Sequence, residues 1–190
     1  HKLDFFRTMN KANETRFKDL RVTQLFNRYA TYNGSDPYQT PATLNIIPHL
    51  EFNMGAFFPN KGMHDITMSV YGLAKELGVN FSFNHPVEKI ILKSKRAVGV
   101  VCLGEEIIAD VVVSNMDIVN TYRKLMSDID PPELLLKQPK SSSALIFYWG
   151  IKGQFEQLGL HNIFFSEDYE KEFRHIFKDG DITDDPTVYV

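Results

Sequence analysis

The sequence predicts an α+β fold, with packed helices and a mixed or antiparallel sheet. Three observations lead there. Apolar residues recur at three- and four-residue spacing as far as Leu77, the spacing of amphipathic helices. From Val79 the period changes to two, the signature of half-buried strands. Short polar turns then join successive strands, which forces antiparallel pairing and argues against a simple doubly wound sheet.

Taken in order, residues 3–20 mix Leu3, Phe5, Phe6, Met9, Phe17 and Leu20 with charges and predict a helix ending near Leu20. A second helix carries Val22, Leu25, Phe26, Tyr29 and Tyr32 on one face; Gly34 supplies a positive-φ stop and Pro37 bars continuation. Arg21, Leu25, Arg28 and Tyr32 form a line along that face, and Asp36 follows the turn. On the residues alone, this cluster is either a cap and salt-bridge arrangement or a set of polar groups orienting a long apolar ligand. Thr40 as N-cap and Pro41 at the first helical position start a third helix through Ala42, Leu44, Ile46, Ile47 and Leu50. Pro48 is expected to kink or end it. His49, beside Glu51, is either a capping or surface histidine or a polar group lining a pocket. Gly55–Pro59, containing Phe57, reads as extended, and Asn60-Lys61-Gly62 as a turn.

Met63, Ile66, Val70, Leu73, Ala74 and Leu77 form the cleanest helical stripe, closed by Gly78. Strands are predicted at Val79–Phe83, Val87–Leu92, Ala97–Leu103 and Ile107–Ser114, with Val111-Val112-Val113 buried on both faces. A helix capped by Ser114 or Asn115 runs to about Met126. After a proline-marked connection over 131–140, strands are expected at Ala144–Gly150 and Ile163–Phe165, a helix at Tyr169–Phe177, and a closing strand at 187–190.

Composition excludes several functions. With 21 basic and 24 acidic residues, a dedicated nucleic-acid surface is not expected. One cysteine, Cys102, rules out an internal disulfide framework. No apolar run reaches the length of a membrane span. The six histidines lack metal-ligand spacing, so no metal site is expected. There is no Gly-rich phosphate loop and no Gly-x-Ser-x-Gly elbow. Fifteen Phe and eight Tyr favour a large packed interior, a bulky apolar ligand, or both. Both chain ends read as cuts within a longer protein.

Longer stretches carry more information. They are Phe26-Asn-Arg-Tyr-Ala-Thr-Tyr-Asn-Gly-Ser-Asp-Pro37, Pro41–Leu44, Gly55–Pro59 with Gly62-Met63, and Leu73-Ala74 to Gly78-Val79. Val87 with Ile90, Gly99-Val100, Ala109-Asp110, Val112–Asn115 and Asp185-Pro186-Thr187 complete them. Together they resemble the FAD-dependent carotenoid desaturase (phytoene dehydrogenase-related) family of the flavin amine-oxidase-like superfamily. The resemblance covers nearly the whole chain as an internal fragment. The Arg-Tyr-Ala-Thr-Tyr wording is closest to desaturases of hydroxylated or partly desaturated acyclic carotenoids.

The resemblance implies oxidation of a carbon–carbon single bond to a double bond, with a hydride passing to the flavin. It implies a substrate domain in two parts, residues 1–83 and 127–190, around a piece of the FAD domain at 84–126. Arg28 and Asp36 would be catalytic; Tyr29, Tyr32, His49 and Phe57 would bind substrate; Val87, Asn115 and Gly62 would contact FAD. Most of the FAD site would lie in other polypeptide, leaving this fragment inactive alone. Lys61 departs from the pattern, standing where relatives carry the first of two glycines. A cytoplasmic enzyme, peripheral to the membrane that dissolves its apolar isoprenoid substrate, is the further expectation. The alternatives are a non-catalytic isoprenoid-binding module, or another flavin oxidoreductase of the amine oxidase or retinol saturase-like kind.

Overall fold

The first helix is built from its cap. In the computed structural model, which describes residues 4–190, the Thr8 hydroxyl accepts the Lys11 N–H at 3.3 Å and starts α1 (Met9–Arg16). First-turn N–H groups have no intrahelical acceptor. Here Met9 and Asn10 donate theirs to the carbonyls of Thr40 and Pro37, at 2.9 and 3.0 Å, and Ala42 N–H returns to the Arg7 carbonyl at 2.9 Å. The turn after Pro37 is thereby laced to the start of α1. The helix expected over residues 3–20 is shorter than predicted. Phe17 is extended, and Asp19 accepts the Arg21 N–H at 2.8 Å to open a separate helix, α2 (Leu20–Asn27). Residues 1–3, where that prediction began, lie outside the described residues.

Arg28–Asn33 continues α2 as a 3₁₀ turn and stops at Gly34, whose φ is +60°. A Cβ there would also stand 2.7 Å from the Ser141 Cβ, so this position needs glycine for two reasons. A second 3₁₀ turn (Ala42–Asn45) leads into α3 (Ile46–Met54). The expected cap and an end of the helix at Pro48 are not found here. Pro41 is itself the N-cap, because the Thr40 backbone is engaged by Asp36 and Met9. Pro48 does not end the helix: the change of geometry at Ile46 puts it in the first turn of α3, where a missing N–H costs little.

Contacts divide the described residues into two compact units: those up to Phe57 together with Lys140–Val190, and Phe58–Pro139. The core of the first is Met9, Tyr29 and Ala30, with Phe26, Leu44 and Ile47 packed against it. Within it Asn13 Nδ2 donates to Asn27 Oδ1 at 2.9 Å, and Asn27 Nδ2 donates to Asn10 Oδ1 at 2.7 Å. The C-terminal part of this unit holds β4 (Ile163–Phe164) and β5 (Val188–Tyr189), paired antiparallel, and α7 (Tyr169–Arg174) extended by a π turn to Asp179. Buried Glu172 ties them. Its carboxylate accepts from the Ser166 hydroxyl at 2.7 Å, the Thr187 N–H at 2.8 Å and the Thr187 hydroxyl at 2.7 Å.

The second unit contains α4 (His64–Glu76), closed as predicted at Gly78, whose φ is +84°. A three-stranded antiparallel meander follows: β1 (Val87–Lys93), β2 (Arg96–Cys102) and β3 (Glu105–Ile108). Its hairpins turn at Ser94-Lys95 and Leu103-Gly104, all four at positive φ, which matches the twist of paired strands. Then come α5 (Ile118–Asn120), a π turn over Thr121–Leu125, and α6 (Glu133–Leu136). The helix after the meander starts later than predicted. Asp117 caps it, accepting the Asn120 N–H at 3.1 Å, while the Ser114 hydroxyl is paired with that of Thr121 at 2.8 Å.

Two predicted strands, Val79–Phe83 and Ala144–Gly150, are absent among the described residues, and the one predicted over Ile107–Ser114 is present only in part, since β3 ends at Ile108 and leaves Val111–Val113 outside it. Phe81 and Phe83 instead stack on each other, and Tyr71 meets Phe81 edge-on and Phe83 at a tilt. Val111, Val113 and most of Leu145–Trp149 stand exposed, so the burial on both faces expected of Val111–Val113 is not found. The sequence property is real, but a strand exists only where a neighbouring backbone accepts its hydrogen bonds. The fold is α+β, with two small antiparallel sheets.

Candidate functional site

The turn from α2 to Gly34 places Arg28, Tyr29 and Tyr32 together. The Arg28 guanidinium carbon lies 4.4 Å from the Tyr29 ring centroid and 5.5 Å from that of Tyr32, a cation–π arrangement on both rings. The two rings stack at 5.6 Å. From α3, Glu51 joins them: Tyr29 Oη donates to Oε1 at 2.8 Å and Tyr32 Oη to Oε2 at 3.2 Å. Burial, then the hydrogen bond to Glu51, holds the Tyr29 phenol neutral and pushes its pKa up to about 12. Arg28 Nε is buried without a hydrogen-bond partner.

The same face extends as a row of rings. Phe17 stacks on Phe26 at 4.5 Å, Phe26 meets Tyr29 at 6.1 Å, and Phe52 flanks Phe26 at 6.2 Å. At the Phe17 end is a cavity of about 200 Å³, walled by Phe17, Phe26 and Phe52 and bordered by Asn13, Asn45 and His49. Both polar atoms of the Asn45 amide are buried with no partner.

The other predicted residues fall elsewhere. Asp36 is buried and its carboxylate is engaged, accepting from Tyr38 N–H at 2.8 Å and Gln39 Nε2 at 2.7 Å to hold the turn after Gly34. His49 is exposed at the rim of the small cavity, with Nδ1 3.0 Å from Asn53 Nδ2. Phe57 is 90% exposed. Val87, Asn115 and Gly62 belong to the second unit. Val87 opens β1 opposite Cys102, Asn115 is exposed before α5, and Gly62 holds φ +86° with nothing within 4 Å of where a Cβ would be. That open backbone suits close approach of a flat cofactor. The three residues bring no cation and no Gly-rich loop of the kind that holds a nucleotide's phosphates.

Two residues of the site went unread in the sequence. Asn45 had a signal, a lone amide inside the apolar run Ala42, Leu44, Ile46, Ile47. Glu51 had none beyond its place near His49; only the packing of α3 brings it to two phenols. A larger cavity of about 680 Å³ lies between α1, α2 and α7, with Asn10, Asn27, Tyr38 and Tyr169 beside Glu14 and Asp185. Its lining is polar and acidic, unsuited to a hydrocarbon. His175, Asp179 and Asp181 bring one ligand atom each within 4.8 Å of one another, a grouping that histidine spacing did not reveal; His175 Nδ1 is paired with Asp181 Oδ1 at 2.6 Å.

Comparison with known proteins gives this geometry a context. Residues 3–143 match the family described as flavin containing amine oxidoreductase, which implies a flavin cofactor. The chain is 49% identical over 183 residues to a 1-hydroxycarotenoid 3,4-desaturase of Flavobacterium sp. (strain P99-3), covering 96% of this chain and 37% of that protein. It is 34% identical over 179 residues to a zeta-carotene-forming phytoene desaturase of Myxococcus xanthus, covering 92% of this chain and 34% of the relative. To a 4,4'-diapolycopene oxygenase of Methylomonas sp it is 31% identical over 191 residues, covering 98% and 38%. The chain thus spans a little over a third of the length of these relatives. It belongs to the flavin containing amine oxidoreductase family, and within that family it is similar to carotenoid desaturases.

Proposed function

We propose that the full-length protein is an FAD-dependent oxidoreductase that desaturates an acyclic carotenoid in carotenoid biosynthesis. The observation that carries this is the 49% identity to a 1-hydroxycarotenoid 3,4-desaturase along 96% of the chain. Making a double bond removes one hydride and one proton from adjacent carbons. FAD, when bound, supplies the two-electron acceptor. The protein's task is to hold a long apolar chain in register and keep water away.

The row Phe17, Phe26, Tyr29, Tyr32 supplies an apolar wall of the kind such a chain needs. Arg28 lies on the last two rings and orients the substrate there. A guanidinium cannot accept a proton in a protein. Of this cluster Glu51 is the group able to take one, whereas the Asp36 carboxylate is occupied in its turn. We therefore assign Arg28 with Tyr29 and Tyr32 to substrate, Glu51 to the proton, and Asp36 to positioning. His49 and Phe57 are assigned to the edges of the same substrate surface. Gly62, Val87 and Asn115 would face FAD, and residues 84–126 would belong to the FAD domain between two substrate-domain segments.

The test is anaerobic mixing of the full-length, FAD-loaded protein with acyclic carotenoids and, separately, with amines. The expected result is flavin bleaching by the carotenoid, with a product one conjugated double bond longer. Bleaching by amines alone overturns the reading, and carotenoid binding without bleaching leaves a carrier. We also place the enzyme in the cytoplasm at a lipid surface, since its substrate dissolves in lipid. No helix among the described residues is long and apolar enough to cross a membrane. Absence of co-sedimentation of the full-length protein with liposomes would overturn that placement.

A further inference from the structure

We propose that the acidic cavity between α1, α2 and α7 is a binding site for an arginine-bearing segment of a partner protein. None of the groups involved belongs to the Arg28–Glu51 cluster, so the site stands apart from the desaturase reading. At about 680 Å³ the cavity has room for more than a single ion. Pockets for small organic ligands are mostly apolar. This one instead brings the carboxylates of Glu14, Glu167, Asp168, Glu170 and Asp185 to its walls, against one ammonium, that of Lys171. The whole chain has a net charge of only −3, so negative charge is concentrated here. All five carboxylate residues are exposed and present themselves to a second surface, as the charged rim of a protein contact does.

The lining selects a guanidinium. Tyr169 is 6% exposed, yet its hydroxyl makes no hydrogen bond among the described residues and, unlike the Asn45 amide, is open to the cavity. A buried phenol normally has a partner, so this one awaits a ligand. Glu14, Asp168 and Asp185 each accept one hydrogen bond, from Asn10 Nδ2, Lys171 N–H and Glu167 N–H. The Glu167 and Glu170 carboxylates accept none among the described residues. Nor are the carboxylates gathered as a metal ion requires. Among the described residues, the grouping with three ligand atoms within 4.8 Å is that of His175, Asp179 and Asp181. A guanidinium spreads five donors over a flat fork and stacks on phenol rings. It can therefore reach separated carboxylates while lying on Tyr38, which is half-buried at the same cavity. An ammonium is a compact point charge and uses less of this lining. Burial first, then Glu170 beside Tyr38 and Glu172 beside Tyr169, raises both phenols, which stay neutral and able to accept a guanidinium N–H.

The experiment uses the full-length, FAD-loaded protein and fluorescence anisotropy of two dye-labelled peptides. One alternates arginine with glycine, and the other carries lysine in place of each arginine. The arginine peptide is expected to bind more tightly than the lysine peptide, and to lose affinity as salt rises. Glu167→Gln combined with Glu170→Gln is expected to weaken it about fivefold to thirtyfold, the range for two ion pairs open to solvent. Tyr169→Phe is expected to narrow the preference for arginine over lysine. Equal binding of the two peptides, or arginine-peptide binding unaltered in the double variant, overturns the proposal. Absence of binding to the full-length protein also overturns it, and would mean that the rest of the polypeptide covers the cavity. Displacement of the peptide by an equal concentration of argininamide would make the ligand a small guanidine and overturn the peptide assignment. Both glutamates are exposed, so their double variant decides the matter even where Tyr169→Phe does not fold.

Discussion

Tyr29 donates its phenolic hydrogen to Glu51 at 2.8 Å, although 22 residues and two turns separate them in the chain. The bond joins the end of α2 to α3 beneath the Arg28 guanidinium. It exists only while the phenol is protonated, and burial with Glu51 beside it raises that phenol to about 12. The sign follows. A folded-state pKa above the unfolded one adds stability that is complete below the ordinary tyrosine range and is lost as pH rises towards 12. Urea unfolding of the full-length protein should therefore lose stability above about pH 10. Tyr29→Phe should remove that part of the dependence and cost about 1 kcal/mol at neutral pH. An unaltered alkaline slope in the variant would show that Tyr29 is not its source.

Gly34 is predicted to be intolerant of any side chain. Its φ of +60° disfavours a Cβ, and Ser141 occupies the space a Cβ would need. Gly34→Ala should lower the unfolding free energy by about 1–3 kcal/mol, the usual cost of a sparsely allowed backbone combined with crowding. Equilibrium denaturation checks it, and a neutral outcome would mean the 141–142 segment moves aside freely.

Glu172 is a buried carboxylate satisfied by three donors and no cation. Glu172→Ala strands the Thr187 N–H and two hydroxyls, and should cost about 1.5–3 kcal/mol. Amide exchange at Thr187 should accelerate in the variant, since β5 loses its tether to α7. Retained protection at Thr187 would refute the clamp.

Asn13 and Asn27 form a buried amide pair that Asn10 completes. Replacing one partner leaves the other unsatisfied at about 1–3 kcal/mol, whereas replacing both with Leu should cost less than the two single changes added. A double-mutant cycle measures the coupling, and strict additivity would indicate that the two amides do not interact.

Arg28→Ala should reduce carotenoid turnover by about a hundredfold in kcat/KM, a size typical of lost substrate alignment. Arg28→Lys keeps the charge but not the flat guanidinium that lies on two rings, and should rescue only in part. Turnover equal to wild type in Arg28→Ala would remove Arg28 from the site.

What the sequence determined by itself is local. The Gly34 stop after Tyr32, the α4 stripe closed by Gly78, and the turns that make β1–β3 antiparallel follow from each residue acting on its own backbone. The Arg28–Tyr32 cluster was legible for the same reason, since three- and four-residue spacing on one helix brings its members together. Tertiary structure decided whatever needs a distant partner. Val79–Phe83, Val111–Val113 and Ala144–Gly150 have strand composition, but no neighbouring edge pairs with them among the described residues, so they are not strands. Pro48 is tolerated because a 3₁₀ turn precedes it, which its own residue type does not announce. Glu51 becomes the acceptor of two phenols only through where α3 comes to rest, and Asn45 an unpaired amide beside three rings only through where the 3₁₀ turn before α3 does. Helical spacing and turn chemistry are written within a few residues; hydrogen-bond partners across a fold are set by where whole elements come to rest.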